Sequence, residues 1–221
     1  GGRERGRHML DIVVLVSGGG TNLQTLIDRI ADGTITNGRI VKVISSRRDA
    51  YALERAKKHG IPSAVVPRGE YEDAAGYEAA LHAEIAAASP GLIVLGGFLS
   101  KLSSQTVAMY PNRILNIHPA LIPAFSGQGY YGLRVHRAAL ERGVKLTGAT
   151  VHFVSEEYDA GPIILQKAVA VEPDDTPEIL QQRVMTQAEQ VILPQAVNLV
   201  CNGRVEVAGK TVRIKERGES L

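Results

Sequence analysis

The chain has one cysteine, Cys201, no tryptophan, three phenylalanines and no block of like charge. A lone cysteine excludes an intramolecular disulfide and any multi-cysteine metal site, and it suits a reducing compartment, so the cytoplasm is the expected setting. Lys and Arg number 25 against 23 Asp and Glu, a net charge of +2, and this balance gives no indication of a nucleic-acid partner. Long apolar runs are missing as well. The first of note, Ile12 to Val16, is too short for a signal-peptide core or a membrane span. The six histidines include no HxH or HExxH spacing, so a zinc site has no support and no metal is expected. The 221 residues are enough for a substantial core, since a chain of this size buries roughly 70% of its unfolded surface.

Short apolar runs alternate with helical patterns from Asp11 to about Leu140. Strands are predicted at 12–16, 40–45, 63–66, 91–95 and 113–117, with helices at 22–31, 51–59, 71–88 and 103–109 between them. This βαβα order predicts an α/β fold whose mostly parallel sheet is covered by helices on both faces. Beyond Pro119 the pattern changes: a Pro- and Gly-containing loop to Gly132, a helix over 133–142, and two strands, 146–154 and 163–171, expected to run antiparallel. A long helical stretch, 176–200, carries Pro194 and is expected to kink there, and a terminal hairpin is predicted around Ala208-Gly209. Gly1 to Met9 reads as an added leader. Residues 10–216 are expected to form one domain, with a phosphate-binding half (10–110) and a catalytic half (111–216).

Chemistry concentrates at three places. Ser17-Gly18-Gly19-Gly20-Thr21-Asn22 follows the first strand and opens the first helix, where free N–H groups and the helix dipole favour an anion. The pattern lacks the Lys-Ser/Thr of a P-loop and the third glycine of the dinucleotide fingerprint, so a monophosphate fits better. The same composition also describes a tight turn capped by Thr21. In the run Arg113 to Pro119, Asn116 and His118 stand two residues apart at the end of an apolar strand, so their side chains share one face. An amide can stabilise an oxyanion and an imidazole can move a proton near neutral pH, a pair suited to acyl or formyl transfer. From residue type alone a structural histidine is the commoner case. Asp159, before Gly161 and Pro162, would raise the pKa of a nearby imidazole, or simply shape a turn. His152 falls in an apolar strand and is expected to be structural; His59, His82 and His136 lie on helices without visible partners.

Together these residues resemble a known family. Ser17 to Asn22, Gly97-Phe98-Leu99, Asn116-Ile-His-Pro119 with Leu121 and Pro123, and Val151 to Val154 followed by Tyr158 to Gln166 resemble the phosphoribosylglycinamide formyltransferases of purine biosynthesis, in order and spacing, from about Leu10 to about Val207. The resemblance implies a Rossmann-like formyltransferase fold with an antiparallel C-terminal extension. It also implies formyl transfer from 10-formyltetrahydrofolate, as cosubstrate, to the amine of a glycinamide ribonucleotide. Gly20, Thr21 and Asn22 would hold the substrate phosphate, and Glu189 would lie near its ribose and amine. Asn116 would bind the formyl oxygen and His118 would donate a proton, kept protonated by Asp159. Leu99, Ser100, Lys101 and Leu102 would line the folate pocket through backbone groups. Small-molecule substrates, no membrane and a homodimer complete what the family implies. Three departures stand out: Ser100 and Lys101 replace a basic residue followed by an apolar one, Ala74 falls where some relatives carry an arginine, and spacing near Glu189 is slipped by one residue. Loop 124–132 is a candidate lid. The rival readings are a formyltetrahydrofolate deformylase, whose members carry an extra N-terminal domain, and a noncatalytic phosphometabolite sensor. Methionyl-tRNA formyltransferase would need a C-terminal RNA-binding domain.

Overall fold

Strands buried on both faces show no polar alternation, and among the first five strands of this chain the runs Ile12 to Val16 and Leu92 to Leu95 follow that rule. In the computed structural model, which describes residues 9–217, the five strands are β1 (Leu10–Val16), β2 (Gly38–Ser45), β3 (Ser63–Val65), β4 (Leu92–Leu95) and β5 (Ile114–His118). Between them run α1 (Thr21–Ala31), α2 (Ala52–Lys58), α3 (Ala74–Ala87) and α4 (Ser104–Met109). The second half adds α5 (Leu133–Arg142), β6 (Leu146–Phe153), β7 (Ile163–Ala170), α6 (Pro177–Val184), α7 (Gln190–Cys201) and the hairpin β8 (Val205–Ala208) and β9 (Thr211–Ile214). The proposed leader falls on residues of which 1–8 lie outside the described part.

One seven-stranded sheet, in the order β3-β2-β1-β4-β5-β6-β7, runs through both halves. The first five strands pair in parallel, and β6 and β7 are antiparallel, as the sequence predicts. Side-chain alternation splits the apolar runs between two cores. Ile12, Val14, Val16, Leu92, Val94, Leu115 and Ile117 pack with residues of α1, α2, α5, α6 and α7 on one face, whereas Val13, Leu15, Ile93, Leu95 and Ile114 meet α3 on the other. Because β1 pairs with both β2 and β4, the strand order reverses between β1 and β4. In open α/β sheets that reversal opens a crevice beyond the carboxyl ends of the strands, where ligands bind. Among the described residues no helix is long and apolar enough to cross a membrane.

Three elements differ from their predicted form. The helix expected from Tyr71 starts at Ala74, because Asp73 adopts extended backbone and its carboxylate caps the Gly76 N–H at 2.7 Å. Residues 68–70 form a separate short 3-10 turn. The irregularity expected at Pro194 lies upstream: Met185–Glu189 form a π turn, and Pro194 sits inside α7.

The connection from β6 to β7 is held tightly. At Gly161 an added Cβ would stand 1.7 Å from the Phe153 carbonyl oxygen, which only glycine avoids. Gly161→Ala is therefore expected to destabilise the protein by about 1–3 kcal/mol, the usual cost of overpacking, seen as a lower urea midpoint. An unchanged midpoint would contradict this packing.

Candidate active site

The end of β5 and the facing part of β6 build the polar centre. Antiparallel register sets Asn116 opposite His152 and His118 opposite Thr150. The His152 Nδ1–H donates to the Phe153 carbonyl at 3.0 Å, which leaves Nε2 as acceptor, and the Asn116 amide reaches it at 3.4 Å. One amide N–H of Asn116 is thereby oriented and the other stays available for a ligand. His118 donates from Nε2 to the Phe125 carbonyl at 2.8 Å, a contact from the loop that follows β5. Thr150 fixes the start of that loop by donating to the Ala120 carbonyl and accepting from the Ile122 N–H.

Asp159 joins these pieces. Its Oδ2 lies 3.6 Å from His118 Nδ1 and its Oδ1 lies 3.6 Å from His152 Nε2, both beyond hydrogen-bond distance. Oδ2 also accepts the Gly127 N–H at 2.9 Å, so one carboxylate ties two loops and two imidazoles. Burial pushes the Asp159 carboxyl up, but His152, the Gly127 N–H and His118 together outweigh it and hold it below the ordinary carboxylate range. Asp159 acts on His118 in the expected direction, against burial. Burial is the largest influence on His118 and pulls its pKa below the usual histidine value, even though Asp159 and the Phe125 carbonyl act in the opposite direction.

Around this centre lies a cleft of about 720 Å³. Gly20, Thr21 and Asn22 line it where β1 meets α1, as do the run Leu99 to Leu102 after β4, the pair Asn116 and His118, Asp159 and Glu189. Every site residue singled out in the sequence thus borders one space. The Leu99 N–H is taken by Ser17 Oγ at 3.0 Å, and Ser17 Oγ meets Ser46 Oγ at 2.6 Å, so the glycine loop and the Leu99 run are braced together. Lys101 stands over the Tyr158 ring, 5.1 Å from its centroid, joining the Leu99 run to the Asp159 loop. Glu189, on the π turn, is 5% exposed; burial pushes its pKa up to about 7, with Asn22 acting weakly against it.

Comparison with known proteins places this arrangement. The formyl transferase family profile matches residues 10–197. The chain belongs to the formyl transferase family. A phosphoribosylglycinamide formyltransferase of Escherichia coli (strain K12) is 39% identical, over 90% of this chain and 90% of that one. The crystal structure of glycinamide ribonucleotide transformylase 1 from Symbiobacterium toebii superposes with a TM-score of 0.88 at 44% identity, covering 95% of each chain. A formyltetrahydrofolate deformylase from Pseudomonas syringae shares the fold at 27% identity and a TM-score of 0.85 over 67% of its length. The chain spans 66% of the chloroplastic phosphoribosylglycinamide formyltransferase of Arabidopsis thaliana and 19% of the trifunctional purine biosynthetic protein of Gallus gallus.

Two histidines of this formyl transferase domain escaped the sequence reading. His152, expected to be structural, orients Asn116 and faces Asp159. The signal was present but conditional: if β6 runs antiparallel to β5, some residue of Val151 to Val154 must face Asn116. His136 of α5 lines the cleft fully buried, with neither ring nitrogen hydrogen-bonded, and burial, then His118, pushes its pKa down to about 4. His82 and His59 do find partners, Thr106 Oγ1 at 2.8 Å and Gln24 Nε2 at 3.3 Å.

The raised carboxyl of Glu189 has a consequence for stability. A folded pKa of about 7 against an unfolded value near 4.5 means that the folded state binds its proton more tightly. That contribution is full below about pH 4.5 and is lost as pH rises through 7, a change on the order of 3 kcal/mol. Glu189→Gln should flatten the fall in stability across this window, as measured by urea unfolding at several pH values. A variant whose stability falls as steeply as that of the parent would contradict the buried carboxyl.

Proposed function

We propose that the chain transfers the formyl group of 10-formyltetrahydrofolate to the amine of 5′-phosphoribosylglycinamide, a step of purine biosynthesis, in the cytoplasm. The observation that carries this reading is the placing of Asn116, His118 and Asp159 on the wall of the same cleft as the anion loop at Gly20 to Asn22. A hydrolase acting on the folate alone has no use for a second, anion-binding arm. In this reading the nucleotide phosphate sits on the loop N–H groups, Glu189 meets the ribose and amine, and the folate lies along Leu99 to Leu102.

The neutral amine attacks the formyl carbon, a C–N bond forms, and the carbonyl electron pair moves to oxygen. The free N–H of Asn116 receives that oxyanion, with His118 beside it. Attack leaves a surplus proton on the amine nitrogen; the neutral His118 imidazole takes it, and the resulting imidazolium stands beside the oxyanion. Collapse of the adduct re-forms the carbonyl and breaks the bond to the folate nitrogen, which leaves with the proton that His118 returns. Asp159 lowers the cost of charging His118, and His152 keeps the Asn116 amide in place.

Purified protein should form tetrahydrofolate from 10-formyltetrahydrofolate only when the ribonucleotide is present. Nucleotide-independent turnover would mean hydrolysis, and no turnover with both would sink the reading. Asn116→Ala and His118→Ala should each lower kcat by about 10² to 10³, the scale of one oxyanion donor. Asp159→Asn removes the charge that raises the His118 pKa. The acid limb of kcat/KM, where rate falls as the imidazole is protonated, should then move to lower pH; a limb that stays in place would break the proposed pairing.

A further inference from the structure

On its cleft side the anion loop of the proposed function meets no arginine or lysine side chain among the described residues. Among the described residues that line the cleft the one such side chain is Lys101, which belongs to the Leu99 run and packs on Tyr158. A cation lies instead behind the loop. Arg55 of α2 donates from Nε to the Gly19 carbonyl at 2.7 Å and from Nη1 to Gln24 Oε1 at 3.3 Å, while its guanidinium lies over the Tyr51 ring, 5.0 Å from the centroid. One residue earlier, the Gly18 carbonyl accepts the Ala52 N–H at 3.1 Å. Two successive carbonyls of the loop are therefore pinned toward α2.

Peptide geometry turns this into a statement about the opposite side. In a trans peptide the C=O and the N–H point in opposite directions. With the Gly18 and Gly19 carbonyls directed at α2, the Gly19 and Gly20 N–H groups are directed away from it, toward the cleft that these glycines line. The loop has little freedom to rotate out of this arrangement. Gly20 holds φ at +77°, and a Cβ there would stand 2.6 Å from the Ala52 Cβ and 2.8 Å from its Cα. The Gly19 carbonyl belongs to the same amide as the Gly20 N–H. A guanidinium on that oxygen polarises the amide and makes its N–H a stronger donor.

We propose that Arg55 is a positioning residue for the anion loop: acting through the Gly19 peptide, it sets the direction and strength of the Gly20 N–H and places a positive charge one peptide away from the bound phosphate without touching it. The inference rests on the phosphate reading of the loop, though not on the identity of the group transferred. It explains how a phosphate site without a contacting cation holds a dianion. It also explains why Arg55 is half-buried and held by three groups rather than free in solvent.

The test compares Arg55→Met, which keeps the apolar stem, and Arg55→Lys with the parent. The KM for the ribonucleotide, the KM for 10-formyltetrahydrofolate and kcat are measured, and inorganic phosphate is titrated into 15N-glycine-labelled protein. Arg55→Met should raise the nucleotide KM and the phosphate Kd about five- to tenfold, below the scale of a direct charge-assisted hydrogen bond because the guanidinium acts through a peptide. The phosphate-induced shift of the Gly20 amide should shrink, while kcat and the folate KM stay within about twofold. Arg55→Lys, which retains a cationic donor, should recover most of the loss. An unchanged nucleotide KM and phosphate Kd would overturn the proposal, and so would an equal loss in both KM values and kcat, the mark of a general structural defect. If the parent turns over neither substrate, the formyl-transfer reading fails while the phosphate titration still decides the role of Arg55.

Discussion

Antiparallel pairing of β6 on β5 is the constraint from which the polar centre follows. A parallel neighbour would have required a crossover and a different register, and nothing would bring His152 across from Asn116. With the pairing as it stands, the strand end that carries Asn116 and His118 is backed by a second imidazole. The turn after β6 then returns Asp159 to within 3.6 Å of both rings. The close approach of Gly161 to the Phe153 carbonyl keeps that turn short enough to do so. Asp159 in turn grips Gly127, so the loop after β5 is held by the same carboxylate that influences the histidines.

The remaining parts of the cleft come from the parallel half by a separate route. Reversal of strand order between β1 and β4 leaves the Gly18 to Asn22 turn and the Leu99 run side by side, and Ser17 locks them together with one hydroxyl. α7 and the π turn before it cover this arrangement and carry Glu189 to Asn22. A π turn at such a place fits the common association of these irregularities with functional sites. Burial then governs the electrostatics: it raises Glu189 and lowers His118 and His136, in each case favouring the uncharged form.

Much of the fold was legible because strands covered on both faces must be apolar throughout, as in Ile12 to Val16 and Leu92 to Leu95. The helix over Leu133–Arg142 was legible to the residue, ending at Gly143, whose φ of +76° closes it. Pro194 misled because a proline inside a helix is commonly the site of a kink, whereas here the preceding turn widens and the proline is carried within α7. The glycine loop, Asn116, His118 and Asp159 could be picked out because they occur together in the order and spacing of a known family; residue type alone left a structural reading open for each. His152 and Arg55 could not. The role of His152 depends on register between strands, and Arg55 acts on a backbone carbonyl that leaves no trace in residue type. The balance of influences on His118 is divided in the same way: the carboxylate is visible in sequence, the depth of burial is not.

The central claim is that one cleft brings a phosphate-bearing amine and a formyl donor together at Asn116 and His118. The most direct measurement is a crystal structure with the ribonucleotide and a stable folate analogue bound together. The account predicts the phosphate on the Gly19 and Gly20 N–H groups, the formyl-equivalent oxygen at hydrogen-bond distance from Asn116, and the nucleotide amine about 3–3.5 Å from the formyl-equivalent carbon. A phosphate bound elsewhere, or a formyl-equivalent group out of reach of both Asn116 and His118, would contradict it.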